Sequence, residues 1–198
     1  MRSLPPVVKN ILIANVVIFF AQFIFEKQGI FLEQWGALFP YQSPHFRIWQ
    51  LVTHMFMHAG LFHILFNMFA LYMFGAMLEN LWGPKRFLNF YMICGIVAGI
   101  AQLLLDPNFD LAVGASGAIM GILAAFAYLF PNTPLYLMFI PIPIKAKYAI
   151  PGLMALDLFG AIGRVPGDNI AHWAHLGGAL AGFIMVLLWN KTNRNTFY

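Results

Sequence analysis

Apolar residues run along this chain in six long blocks, at 7–25, 51–78, 87–105, 111–130, 148–163 and 170–190, with the polar residues gathered between them. A helix needs about 20 mostly apolar residues to cross a bilayer core. The pattern therefore predicts an all-α membrane protein, a six-transmembrane-helix bundle, with residues 1–198 forming one membrane domain. The fifth block is the shortest and contains Asp157. The first block is longer than the apolar stretch of a secretory leader and no small-residue cleavage site follows it, so it reads as a retained span.

Two connections are long. Residues 26–50 contain "FLEQWGALFPYQSPHFRIW", aromatic and lightly charged, which predicts a segment lying in the outer membrane interface. Residues 131–147 hold Pro131, Pro134, Pro141 and Pro143, which predicts an irregular cytoplasmic connection.

Composition points the same way. The chain is 61% hydrophobic and 9% charged. A soluble domain carries about a quarter charged residues, so this one lacks the charge to cover a surface in water. Its lysines and arginines report orientation. With a cytoplasmic N-terminus, the inner segments hold Arg2, Lys9, Lys85, Arg86, Lys145, Lys147, Lys191 and Arg194, against Lys27, Arg47 and Arg164 outside. That asymmetry predicts that both termini are cytoplasmic. The basic residues sit in pairs at the ends of blocks, not in a patch, so the net charge of +4 is a topology signal and no nucleic-acid partner is expected. The single cysteine, Cys94, allows no disulfide within the chain.

Polar groups at membrane depth are expensive, and they are the candidates for function: His54, His58, His63, Asn67, Ser116, Asp157, His172 and His175. Counted from the outer ends of their blocks, Ser116 and His175 each lie five residues in, roughly 8 Å at 1.5 Å per residue. Gly117 and Gly121 are four apart, as are Gly178 and Gly182, a spacing that lets helix backbones approach. Gly95 and Gly99 share it without a polar neighbour of this kind.

A serine becomes a nucleophile when a base takes its proton, and histidine is the usual base. His63 and Asn67 fall on one helical face and both carry N–H donors of the kind an oxyanion needs. Each reading has a rival. Ser116 and Asp157 could simply bond neighbouring helices. His54 and His58, four apart, could bind a metal or haem with His172, or hydrogen-bond the interfacial loop. On one continuous helix they would face away from His63 and Asn67. Asp157 could also orient His175. "GASGA" misses the G-x-S-x-G elbow, since position 118 is alanine, and no strand precedes it.

Three motifs carry a resemblance. "HILFN" (63–67) looks like an H-x-x-x-N motif, "GASGAIMG" (114–121) contains G-x-S-G, and "AHLGGALAG" (174–182) contains A-H-x-x-G-x-x-x-G. In this order, over nearly the whole chain, they resemble the rhomboid intramembrane serine proteases. The resemblance implies a Ser–His dyad without an acid that cleaves transmembrane segments of other membrane proteins. Carried over, Ser116 is the nucleophile and His175 the base. His63, Asn67 and the Ser116 backbone N–H form the oxyanion hole.

It implies no cofactor and no metal. It implies transmembrane protein substrates in a lipid bilayer and, since the minimal six-helix form is similar to bacterial members, a bacterial cytoplasmic membrane. His172 lacks the glycine three places on, so His175 takes the base role. Trp49 is followed by Gln50 where many members have arginine, and Met120 stands where some have tyrosine stacked on the base; these departures predict different anchoring of the first loop and of His175. The alternatives are a non-catalytic relative that binds membrane-protein clients and a haem- or metal-binding membrane protein. Residues 163–169, "GRVPGDN", suit a movable cap over the site.

Overall fold

The structure, a computed structural model, describes residues 3–136, 142–163 and 168–192. They form an all-α membrane bundle with one small hairpin. α1 (Pro6–Glu26) opens on a proline, whose missing N–H is no loss in a first turn. Two other donors of that turn, the Val7 and Val8 N–H groups, reach the buried Glu79 carboxylate at 2.9 and 2.7 Å. A carboxylate from the second span thus caps the first, matching the helix dipole.

The chain then lies across one end of the bundle through α2 (Glu33–Gly36), α3 (Gln50–Thr53) and a 3-10 turn (His54–Phe56). Gln50 is fully buried. Its Oε1 accepts the N–H groups of Arg47 (3.1 Å) and Phe39 (3.4 Å), and its Nε2 donates to the His45 carbonyl at 3.0 Å. The neutral residue at this departure from the family pattern is itself the loop's anchor. Leu38 exchanges two backbone bonds with Ala112, at 2.9 and 2.8 Å, tying this segment to the one before Ser116.

The second span begins later than its hydropathy suggests. Met57 (φ −88°, ψ 145°) and Gly60 (φ 173°) are extended, so residues 57–60 separate the short helical turns of 50–56 from the span. Gln22 of α1 secures this break. Its Oε1 accepts the His58 N–H at 3.1 Å, while its Nε2 reaches the His58 carbonyl at 3.3 Å and the Glu33 carboxylate. The span proper comprises α4 (Leu61–Ala70), a π-helical turn (Leu71–Gly75) and α5 (Ala76–Trp82).

Gly83 (φ +80°) and Pro84 turn the chain into α6 (Pro84–Leu105). α7 (Ser116–Leu129) starts at the serine itself. Residues 111–115, expected to be helical, are not, because Ala112 pairs with Leu38, the Gly114 N–H donates to the His54 carbonyl at 2.8 Å, and Gly114 holds φ +122°. The depth counted along a helix for Ser116 is corrected accordingly.

The proline-rich connection is more ordered than expected. β1 (Pro134–Leu135) and β2 (Ile144–Lys145) pair antiparallel before α8 (Ala146–Gly163) and α9 (His172–Thr192). Pro141 lies outside the described residues, as do residues 164–167 of the cap segment.

Among the described residues, four helical stretches are long and apolar enough to cross a membrane: α1, Leu61–Trp82, α6 and α9. This is an integral membrane protein. α7 is apolar but has 14 residues. α8 has 18, with Pro151 inside it.

α6, α7 and α9 pack most closely, and α8 is joined to α7 and α9 more loosely. Glycine makes the α7–α9 contact possible. A Cβ on Gly178 would overlap the Gly117 carbonyl, and one on Gly182 would overlap Gly121. Gly95 and Gly99 of α6 serve the loop instead. A Cβ at Gly95 would overlap the Met55 side chain, and one at Gly99 would lie 3.1 Å from the His54 ring.

Candidate active site

Ser116 and His175, 59 positions apart, are in contact: His175 Nε2 lies 2.7 Å from Ser116 Oγ. Each sits in the first turn of its helix. Both are half-buried. Ser116 opens α7 after the irregular segment 111–115, so its hydroxyl lies at the helix end that carries the free N–H groups of the first turn.

His63 approaches from α4. A Cβ on Gly114 would stand 2.7 Å from His63 Nε2 and 3.6 Å from Ser116 Oγ. Gly114 therefore does two things a larger residue could not: it adopts φ +122° and leaves room for the imidazole. Asn67 is buried one turn on. Its Nδ2 donates to the His63 carbonyl at 2.9 Å, which uses one of its two N–H groups.

The face opposite the serine holds a second cluster. His175 Nδ1 is 2.9 Å from Asp157 Oδ1, and His172 Nδ1 is 2.7 Å from the same oxygen. His172 Nε2 is 3.0 Å from Asp168 Oδ2. The bond from His172 holds the exposed Asp168 carboxyl below the usual carboxylate range, helped by the Ile170 N–H. His172 and His175 also stand edge to face, with ring centroids 6.4 Å apart. His175 is thus held by a carboxylate and stands beside a second imidazole, while Met120, at the position of the stacking tyrosine, is buried in the core.

His54 and His58 have other tasks. His54 Nδ1 meets the Gln50 carbonyl at 2.7 Å, and its own carbonyl holds Gly114. The break before α4 corrects the expectation that this pair faces away from His63: the His58 ring stands edge-on to His63 at 5.1 Å. Among the described residues one group has the proximity of metal ligands, Asp157, His172 and His175, and its atoms already bond one another. His54 and His58 do not join His172 in such a group.

Sequence reasoning omitted Gln102. This buried α6 residue accepts the Ala174 N–H at 3.1 Å, satisfying a free donor of the α9 first turn beside His175. An amide inside an apolar block was the available signal. Gly160 was also missed. It lies one turn beyond Asp157 on α8, and a Cβ there would overlap the His172 ring.

Fold and site together define a helical membrane protein with a serine hydroxyl bonded to an imidazole near one end of its bundle. The family model described as Rhomboid domain matches residues 45–191. The chain belongs to the rhomboid family. It is 34% identical over 156 residues to RHOMBOID-like protein 1 of Arabidopsis thaliana, covering 78% of this chain and 38% of that protein. It is 31% identical over 142 residues to the putative rhomboid protease YdcA of Bacillus subtilis, covering 71% and 66%. Rhomboid protein 1, mitochondrial, of Saccharomyces cerevisiae is 32% identical over 139 residues, covering 68% and 40%. The chain thus spans between about two fifths and two thirds of the length of these curated relatives.

Proposed function

We propose that this protein is an intramembrane serine endopeptidase that cleaves transmembrane segments of membrane proteins near the outer membrane face. The observation that carries the reading is the 2.7 Å contact between Ser116 Oγ and His175 Nε2. That distance suits proton transfer from the hydroxyl to the imidazole during attack on a carbonyl. The oxyanion is received by the Ser116 backbone N–H, His63 and Asn67. A substrate helix hides its carbonyls in hydrogen bonds, so it must unwind locally, which favours segments with glycine, proline or small residues near that face. YdcA is named as a putative protease and supports the reading.

The charge asymmetry supports a six-span topology with both termini cytoplasmic. Reporter fusions at Tyr198 test the orientation; a C-terminus on the outer side overturns it. The activity is tested with a fluorophosphonate probe on purified protein. Wild type is labelled and Ser116→Ala is not. Wild type that neither labels nor cleaves a helix-destabilised membrane substrate overturns the proposal in favour of a client-binding relative.

A further inference from the structure

The three contacts Asp157 Oδ1–His175 Nδ1 (2.9 Å), His175 Nε2–Ser116 Oγ (2.7 Å) and Asp157 Oδ1–His172 Nδ1 (2.7 Å) form one connected line across three helices, α8, α9 and α7. The side chains of Asp157, His172 and His175 are 12%, 13% and 18% exposed. A carboxylate at this depth is costly, and a structural tie between α8 and α9 needs only one hydrogen bond. Asp157 instead meets both imidazoles through one oxygen, and one of them is the base.

We infer that Asp157 is a positioning residue for the proposed hydrolysis, making the site a Ser116–His175–Asp157 relay, with His172 as the partner that holds the carboxylate. The inference rests on the protease reading. A carboxylate only accepts hydrogen bonds, so the Asp157 contact selects the His175 tautomer with its proton on Nδ1. Nε2 is then the lone-pair nitrogen, and it is the one facing the serine. Without Asp157 the opposite tautomer is available, and it cannot act as base towards Ser116.

Both ring nitrogens of His172 face carboxylate oxygens, Asp157 at 2.7 Å and Asp168 at 3.0 Å. His172 serves both when each nitrogen carries a proton, and its positive charge then offsets the cost of the half-buried Asp157. Gly160, one turn from Asp157, leaves the space that ring occupies.

The chemistry balances without any further reagent. As Ser116 Oγ bonds to the scissile carbonyl carbon, its proton passes to His175 Nε2 and the carbonyl electron pair moves onto oxygen. His175 becomes an imidazolium, donating Nδ1–H to Asp157, which keeps its charge. When the tetrahedral intermediate collapses, the C–N bond breaks and the leaving amine takes the proton from Nε2. Water reverses the sequence on the acyl-enzyme.

Purified Asp157→Asn, Asp157→Glu and wild type are compared for kcat, KM and thermal midpoint on one membrane substrate. Asp157→Asn keeps the shape and removes the charge. It is expected to lower kcat by about 10² to 10⁴, the upper value being that of the same change in a Ser-His-Asp triad, with KM within about twofold. Asp157→Glu restores a carboxylate and recovers part of the loss. Asp157→Asn with kcat within about threefold of wild type overturns the inference, as does a loss that follows only the unfolded fraction.

A second readout needs no turnover. In Ser116→Ala, His172→Ala protein with ¹⁵N-labelled histidine, a low-field imidazole proton from His175 is expected and should vanish on adding Asp157→Asn. Its persistence overturns the inference. Wild type without labelling or cleavage overturns the protease reading and this role with it, whereas active wild type beside an equally active Asp157→Asn overturns this role alone.

Discussion

Gly178 of α9 lies directly on the backbone of Gly117 of α7, so close that a Cβ on Gly178 would overlap the Gly117 carbonyl oxygen. Ser116 is the next residue to Gly117, and His175 sits one turn before Gly178. The glycine contact therefore sets the distance between hydroxyl and imidazole.

Gly178→Ala tests this. In an ordinary helix the change gains up to about 1 kcal/mol in propensity. Here the obstacle is a backbone carbonyl that cannot rotate away, and overpacking costs about 1–3 kcal/mol. The clash outweighs the propensity. The variant is expected to show a lower thermal midpoint in detergent and slower fluorophosphonate labelling of Ser116. Unchanged labelling with a raised midpoint would show that α7 and α9 have room to separate.

Asn67→Ala removes one of the oxyanion donors that the proposed hydrolysis assigns. Loss of one such donor costs about 10²–10³ in kcat, roughly 3–4 kcal/mol. KM should barely change, since the donor acts on the transition state. The amide bonds the His63 carbonyl of its own helix, so the substitution breaks no hydrogen bond between spans. A lowered midpoint with near-normal kcat in the folded fraction would assign Asn67 to packing.

His172→Ala is expected to keep substantial activity, because His172 reaches the serine only through Asp157 and His175. His175→Ala is expected to abolish cleavage. The double variant Ser116→Ala, His175→Ala should be no worse than either single one, as members of one unit are not additive. An essential His172 beside a dispensable His175 would exchange their roles.

Glu79→Ala leaves the Val7 and Val8 N–H groups without their acceptors. Losing a helix cap costs about 0.5–2 kcal/mol. The midpoint should fall while kcat in the folded fraction holds, because Glu79 lies in α5, away from the site. A fall in kcat at an unchanged midpoint would contradict a purely structural role.

Much of this protein follows from the order of its residues. Long apolar blocks with few charges admit no solvent but lipid, because a bilayer core leaves a chain little choice except to satisfy its backbone within helices. The serine, the histidines and the asparagine stand out for the same reason, since polar groups are costly there. Local pattern could not place the helix ends. Residues 57–60 and 111–115 fall inside the apolar blocks, yet they leave the helix. Their backbone groups find partners in Leu38, His54 and Gln22, which are remote in sequence. Hydropathy measures transfer into lipid and is blind to such partners.

Asp157 shows the limit most clearly. Its sequence context is that of a helix tie, the commoner use of such a residue, and it also admits an orienting acid. Only the fold brings it to His175, because α8 reaches α9 through Gly160 and the ring of His172, two residues whose shared position no single-helix periodicity encodes. Composition and spacing decided the solvent, the class of fold and the list of candidate groups. The tertiary structure decided which of those groups share an atom-to-atom contact, because hydrogen bonds depend on ångström distances between elements that the chain brings together only when folded.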